Sequence, residues 1–243
     1  MQSLLSGLVA YWPLGGVEDV VGLRNDLTNV NTVTFVDGKV VNGANFVAGS
    51  SQRLRIADNP LLSAGDAYYY ICAWVKQTTT NSGGRAISAK VSGTTYEFEF
   101  YMSNRVAGFY KEPTASASFG SALTQGNWGF IEGYHDPDAN IIGICMDRGV
   151  DVTTATSTGM NDTAGDFWIG GNPYSGGAEF FDGVVCELGV WRGRIPTAQE
   201  RNWLYNNGMG RTYPFDGRPA PLLTSRRGHG VMARRNRLTG HVV

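Results

Sequence analysis

The sequence predicts an all-β protein: an antiparallel β-sandwich with one short helix near its C-terminal end. Three observations carry this. About a dozen short apolar or alternating runs are separated by turn signals such as Asp37-Gly38, Ser92-Gly93, Ser103-Asn104 and Asp136-Pro137-Asp138. Glycine is abundant, at 33 of 243 residues, and aromatic residues make up 12%, which suits tight turns around a core of large rings. A helix signature occurs only late, where Thr197-Ala-Gln-Glu200 forms a capping box followed by Trp203, Leu204 and a stop at Gly208.

The elements follow in chain order. Leu8 to Trp12 reads as a strand ended by Pro13 and Gly15-Gly16, and Gly22 to Thr34 as a polar loop with a short strand inside. Lys39 to Phe46 and Gln52 to Ala57 are the next strands. Tyr68 to Gln77 places Tyr70, Cys72, Trp74 and Lys76 on one face and Tyr69, Ile71, Ala73 and Val75 on the other. Both faces are largely apolar, so the strand is expected to be central. Ala86 to Val91, Thr95 to Met102 and Val106 to Lys111 form a meander, and Ser116 to Phe119 a short strand. Asn127 to His135 and Ile141 to Asp147 form a hairpin, followed by weaker strands at Val150 to Thr156 and Phe167 to Gly170. Val184 to Trp191 alternates, with Val184, Cys186, Leu188 and Val190 on one side and Val185, Glu187, Gly189 and Trp191 on the other. Trp203 and Leu204 of the helix are expected to point to a core.

The run FDGVVCELGVWRGRIPTAQERNWLYNNG resembles the closing strand and helix of LamG-like jelly-roll domains, within the concanavalin A-like lectin/glucanase group. LVAYWPLGG (Leu8 to Gly16), VDGKVVNGANFVAGSSQRLRI (Val36 to Ile56) and YYYICAWVK (Tyr68 to Lys76) match in the same order, so the resemblance spans Leu8 to Tyr213. It implies a jelly roll of two curved sheets over residues 1–213. It also implies a calcium site built from loops and the closing strand, for which Asp19, Asp26 and Glu187 are the candidates. The family's closing strand carries an acidic pair; here Cys186 stands at the first position and only Glu187 remains.

Composition narrows the function classes. No apolar run reaches the length of a membrane span. The first residues read as a strand rather than an export leader. Cys72, Cys145 and Cys186 sit inside apolar patterns and read as small buried side chains. Residues 214–243 form a Pro/Arg-rich tail; within it, 217–243 holds Arg218, Arg226, Arg227, Arg234, Arg235 and Arg237 and no acid, so it carries +6 and the net charge of −1 leaves −7 on residues 1–216. The tail lacks interleaved aromatics, which disfavours nucleic acid and favours an anchor to a neighbouring subunit.

Glycan binding needs an aromatic platform, and Tyr110, Trp128, Trp168 and Tyr174 are the candidates, against the core role that large rings usually take. Glu97 and Glu99, two apart on a strand, are expected on one face about 6–7 Å apart. That spacing approaches the ~5–5.5 Å of retaining glycosidases. His135, with Asp136 and Asp138, reads more simply as hairpin-tip chemistry than as a catalytic base. The leading expectation is a non-enzymatic, lectin-like module that binds a glycan or protein surface. Its tail would tether it to a larger particle, such as a phage virion decoration, fibre or tail protein at an extracellular surface, assembled in the cytoplasm. The alternative is a glycoside hydrolase or lyase using Glu97 and Glu99.

Overall fold

The computed structural model describes residues 4–22, 25–79, 84–174 and 179–216. The strands are β1 (Leu8–Trp12), β2 (Thr28–Val30), β3 (Thr34–Asp37), β4 (Asn42–Phe46), β5 (Arg53–Ile56), β6 (Tyr69–Gln77), β7 (Gly84–Ser92), β8 (Thr95–Ser103) and β9 (Val106–Lys111). They continue with β10 (Ala115–Ala122), β11 (Gly129–Asp136), β12 (Ile141–Met146), β13 (Val152–Ala155), β14 (Phe167–Ile169), β15 (Gly171–Asn172), β16 (Glu179–Phe180) and β17 (Gly183–Arg192), and the helix α1 is Ala198–Tyr205. One sheet has the order β13-β12-β11-β6-β17-β4-β3, with β1 also on β17; the other runs β10-β9-β8-β7-β14-β5-β2. β15 and β16 form a small ribbon of their own. The predicted antiparallel jelly-roll sandwich is the observed architecture.

The two inner faces share one core. β6 contributes Tyr69, Ile71, Ala73 and Val75, β8 contributes Phe98, Phe100 and Met102, and β14 contributes Phe167 and Ile169. Each such side chain withdrawn from water stabilises the fold by about 1.5–3 kcal/mol before entropy is counted. β6 lies mid-sheet, and its other face is buried too. There Tyr70, Cys72 and Trp74 join Tyr11, Phe130, Trp191, Leu204 and Phe215 under the helix and the segment that follows it.

Two bulges alter the alternation read from sequence. In β17, Cys186 pairs with Trp74 but Gly189 pairs with Cys72, so one residue is extra, and Glu187 takes a left-handed φ of 53°. The faces therefore swap across it: Cys186 and Trp191 lie in the outer cluster, whereas Val185, Leu188 and Val190 lie in the core. Cys186 is separated from Leu188 and Val190, contrary to strict alternation. In β8, Phe98 pairs with Lys90 and Tyr96 with Val91, which leaves Glu97 as the extra residue.

The helix forms as its capping box predicts: the Thr197 side chain accepts from the Glu200 N–H, and the Glu200 carboxylate accepts from the Thr197 N–H at 2.8 Å. It ends earlier than expected, at Tyr205, because Asn206 adopts the left-handed cap conformation at φ 50°. Trp203 does not enter a core. The buried positions are Glu200, Arg201 and Leu204, and Trp203, off that stripe, is 47% exposed beneath the Arg211 guanidinium at 3.7 Å. Arg201 anchors the helix to the sheet: its Nε donates to Glu132 at 2.7 Å and its Nη1 to Asp151 at 2.8 Å. Arg148 and the Tyr70 hydroxyl also donate to Glu132, at 2.8 and 2.7 Å.

Packing continues past Tyr213. The Phe215 ring meets Tyr11 edge-on at 5.0 Å and lies over Trp191 at 6.4 Å. The six tail arginines lie outside the described residues. All three cysteines are buried and free. Among the described residues no helix is long and apolar enough to cross a membrane.

Candidate functional site

A groove of about 690 Å³ opens on the outer face of the second sheet. β8 supplies Tyr96, Glu99, Tyr101 and Ser103, and β9 and β10 supply Val106, Tyr110 and Ser118. Glu112 lines it from the β9–β10 turn, and Tyr174 and Glu179 from around the small ribbon. Cross-strand register sets its floor. Tyr110, Glu99, Ala89, Trp168 and Arg55 form one row across five neighbouring strands. The small Ala89 leaves room over which Tyr96 and Tyr174 pack.

Tyr101 lies flat on the sheet. Its cross-strand partner is Gly108, and any side chain there would collide with the tyrosine ring. The hydroxyl reaches the Ser116 and Ser118 Oγ atoms at 3.4 and 3.3 Å. The result is an aromatic ring laid along the groove floor with its edge hydrogen-bonded.

The remaining rings are fixed by polar contacts. Tyr96 meets Tyr110 edge-on at 5.2 Å and stacks with Tyr174 at 5.2 Å. Asn172 organises this wall: its Nδ2 donates to the Tyr96 hydroxyl at 3.1 Å and to Glu99 Oε1 at 2.9 Å, and its Oδ1 accepts from the Tyr174 N–H at 2.8 Å. Glu112 accepts from the Tyr96 N–H at 3.0 Å and from the Tyr110 hydroxyl at 3.3 Å. Burial raises the Glu99 carboxyl to about 7, with Asn172 opposing and Glu179 adding to the rise. Burial also raises Glu179, against the pull of Arg85.

Of the four predicted platform residues, the structure brings two together. Tyr110 and Tyr174 line the groove. Trp168 is on the same sheet face but two strands beyond Glu99, roughly 10 Å away, under the Arg53 guanidinium at 4.3 Å. Trp128 packs beside the outer cluster of the other sheet, with Lys76 Nζ 5.0 Å from its ring. Tyr96, Tyr101, Asn172, Glu112 and Glu179 were not singled out from sequence as platform residues. The alternation Glu99, Tyr101, Ser103 opposite Gly108 was the available signal.

Glu97 and Glu99 do not share a face. Lys90, the cross-strand partner of the core residues Phe98 and Phe167, draws Glu97 inward at 2.8 Å. Glu97 also accepts from the Ala64 N–H at 2.6 Å and the Thr163 N–H at 3.3 Å, and is fully buried. Its role is to join loops to the sheet edge. His135 is likewise structural: its Nδ1–H donates to the Ala67 carbonyl at 2.9 Å, and burial lowers its affinity for a second proton.

The calcium candidates do not fit the ion. The Asp19 carboxylate already accepts from the Tyr11 N–H at 3.1 Å, the Val21 N–H at 3.0 Å and Asn25 Nδ2 at 3.0 Å. Asp26 accepts from the Asp19 N–H at 2.9 Å. Glu187 sits at the opposite end of Tyr11, accepting its hydroxyl at 2.7 Å. Among the described residues no three His, Cys, Asp or Glu side chains form a cation-holding group.

The family model of the concanavalin A-like lectin/glucanases superfamily matches residues 48–200. No curated protein sequence matches the chain. Solved structures share its fold. Domain 4 of AbnA, a GH43 extracellular arabinanase from Geobacillus stearothermophilus in complex with arabinotriose, has TM-score 0.64 and 15% identity over 84% of this chain and 98% of that one. The binding domain of Paraclostridial Mosquitocidal Protein 1 has TM-score 0.66 and 10% identity over 85% of this chain and 53% of its own. A structure of botulinum neurotoxin type C, whose cell entry depends on interaction with two ganglioside molecules, has TM-score 0.65 and 10% identity over 86% and 53%. The chain thus spans about half the length of the toxin chains. At these identities the likeness is one of fold.

Proposed function

The chain belongs to the concanavalin A-like lectin/glucanases superfamily, and from that premise we propose that it is a recognition module that binds a glycan in the tyrosine-lined groove without cleaving it. The observation that carries this reading is the Tyr101 ring laid across Gly108 beside Glu99, Glu112 and Ser118. A sugar presents apolar C–H faces that suit a flat ring and hydroxyls that need fixed polar partners; this groove offers both. Support also comes from neighbours of the same fold, described in complex with arabinotriose or in interaction with gangliosides.

A glycan array with the full chain tests the reading. Binding should appear and should fall at least about tenfold in Tyr101→Ala, the loss of one stacking contact. Retained binding in Tyr101→Ala and Tyr110→Ala would move the site elsewhere. Glu97, the partner expected for Glu99 in a hydrolytic pair, points into the sandwich edge instead. Reducing ends released from a bound polysaccharide, and lost in Glu99→Gln, would replace this reading with a hydrolytic one.

We assign residues 214–243 the role of a tether to neighbouring subunits of a larger assembly, with a phage virion surface as the setting that suits this layout. The charge contrast between the tail and the rest of the chain supports it. Deleting residues 217–243 should abolish particle association and leave glycan binding intact; normal incorporation of the truncated chain would sink the tether.

A further inference from the structure

We propose that the groove selects saccharides carrying a free amine, such as de-N-acetylated hexosamines, over their N-acetylated and uronic acid counterparts. The inference rests on the glycan-binding reading above and names its ligand class.

Among the described residues, three other buried carboxylates are matched by a cation, while Asp19 is saturated on both oxygens by neutral N–H donors. Glu97 has Lys90 at 2.8 Å, Glu132 has Arg201 at 2.7 Å and Arg148 at 2.8 Å, and Glu200 has Arg194 at 2.9 Å. Glu187 has no such cation but is closed over by Tyr11. Glu99 differs from all of these. It is 8% exposed and lines the groove, and among the described residues the only donor to reach it is the neutral Asn172 amide, on Oε1 alone. Its second oxygen is left for a ligand.

The charged residues of the lining have one sign. Glu112 and Glu179 line the groove with Glu99, and among the described residues no Lys, Arg or His does. Arg85 stands behind Glu179 at 4.0 Å. The Tyr96 and Tyr110 rings flank Glu99, and tyrosine faces attract ammonium groups. An ammonium docked on Glu99 would form a charge-assisted hydrogen bond and supply the missing counter-charge. A carboxylate or sulfate at the same position would meet three acids. The raised Glu99 carboxyl fits this: it has lost solvation without gaining a cation.

The test compares glucosamine and N-acetylglucosamine tetramers by calorimetry on the full chain, near neutral pH and at low salt. The amine form should bind about tenfold more tightly, the yield of one charge-assisted hydrogen bond. Glu99→Gln keeps the Asn172 contact and should bring the ratio to about 1. Asp37→Asn removes one exposed carboxylate on the other sheet and should leave the ratio unchanged. Equal or weaker binding of the amine form overturns the inference, as does a ratio that survives Glu99→Gln. If neither tetramer binds but another neutral glycan does so through Tyr101, the amine selectivity fails and the groove reading stands. If no glycan binds, both fail.

Discussion

Glu97 and Glu99 stand two positions apart on β8 yet face opposite sides of their sheet, because Glu97 is the extra residue of a bulge. Glu97 is paired with Lys90 inside the sandwich edge, and Glu99 faces the groove. Their substitutions should therefore separate cleanly. Glu97→Ala leaves the fully buried Lys90 ammonium with Asp58 as its one carboxylate partner, at 2.9 Å, and strips the Ala64 N–H of its acceptor; it should cost about 1.5–3 kcal/mol of stability. Urea denaturation measures it. A loss below about 1 kcal/mol would show that the pair is not the clamp described.

The Tyr101 platform depends on what is missing beneath it. Gly108→Ala places a methyl group where the ring rests, and the far end of the tyrosine is free to swing outward. The variant should stay folded, with its melting temperature nearly unchanged, and lose glycan affinity about tenfold, as Tyr101→Ala does. Wild-type affinity in Gly108→Ala would mean that the flat ring is not the contact surface.

What sequence made legible followed the range of each interaction. The two faces of β6 were readable because no bulge interrupts them, so Tyr70, Cys72 and Trp74 separate from Tyr69, Ile71 and Ala73 as a period of two requires. The capping box was readable because Thr197 and Glu200 are three residues apart. In β8 and β17 a single extra residue reverses the alternation, and nothing in the residue types of Glu97 or Glu187 announces it. The groove was half legible. Tyr110 and Tyr174 could be named as aromatic candidates, but their meeting at Tyr96 depends on the β7–β8–β9 register and on Asn172, 73 positions from Glu99.

The two tryptophans test that distinction. Trp168 is held under Arg53 and Trp128 beside Lys76, both off the groove. Trp168→Ala and Trp128→Ala should leave glycan affinity within about twofold while Tyr110→Ala weakens it. The same calorimetric titration serves all three. Loss of binding in Trp168→Ala would extend the site past the small ribbon toward β5.

One guanidinium supplies the buried polar link between the helix and the first sheet, beside the packing of Leu204 and Tyr205. Arg201 pairs with Glu132 and Asp151 and lies over the Tyr134 ring at 5.5 Å. Arg201→Ala leaves the buried Glu132 with Arg148 and the Tyr70 hydroxyl and should destabilise the fold by about 1.5–3 kcal/mol. Arg201→Lys should recover only part of this, since an ammonium cannot present the fork that reaches both carboxylates. Full recovery in the lysine variant, read by thermal melting, would reduce the contact to simple charge pairing.

Glu187 gives the fold a pH dependence of known sign. Burial raises its carboxyl to about 8, against the opposing pull of the Tyr11 and Thr212 hydroxyls, from an ordinary value of 4.5. The folded protein therefore holds this proton more tightly than the unfolded chain. The group's contribution is fully present below about pH 4.5 and is lost as pH rises through about 8. Glu187→Gln keeps an acceptor for the Tyr11 hydroxyl and carries no charge at any pH. Its melting temperature should match wild type near pH 4.5 and exceed it increasingly toward pH 8.5. The Tyr11 hydroxyl also reaches the Arg211 carbonyl at 3.2 Å, and Phe215 packs on the Tyr11 ring. Ionisation of Glu187 should thus loosen the 211–216 segment first, with amide exchange there rising between pH 6 and 8.5 in wild type but not in the variant. Equal melting temperatures across that range would show that the carboxyl is solvated and not enclosed beneath Tyr11.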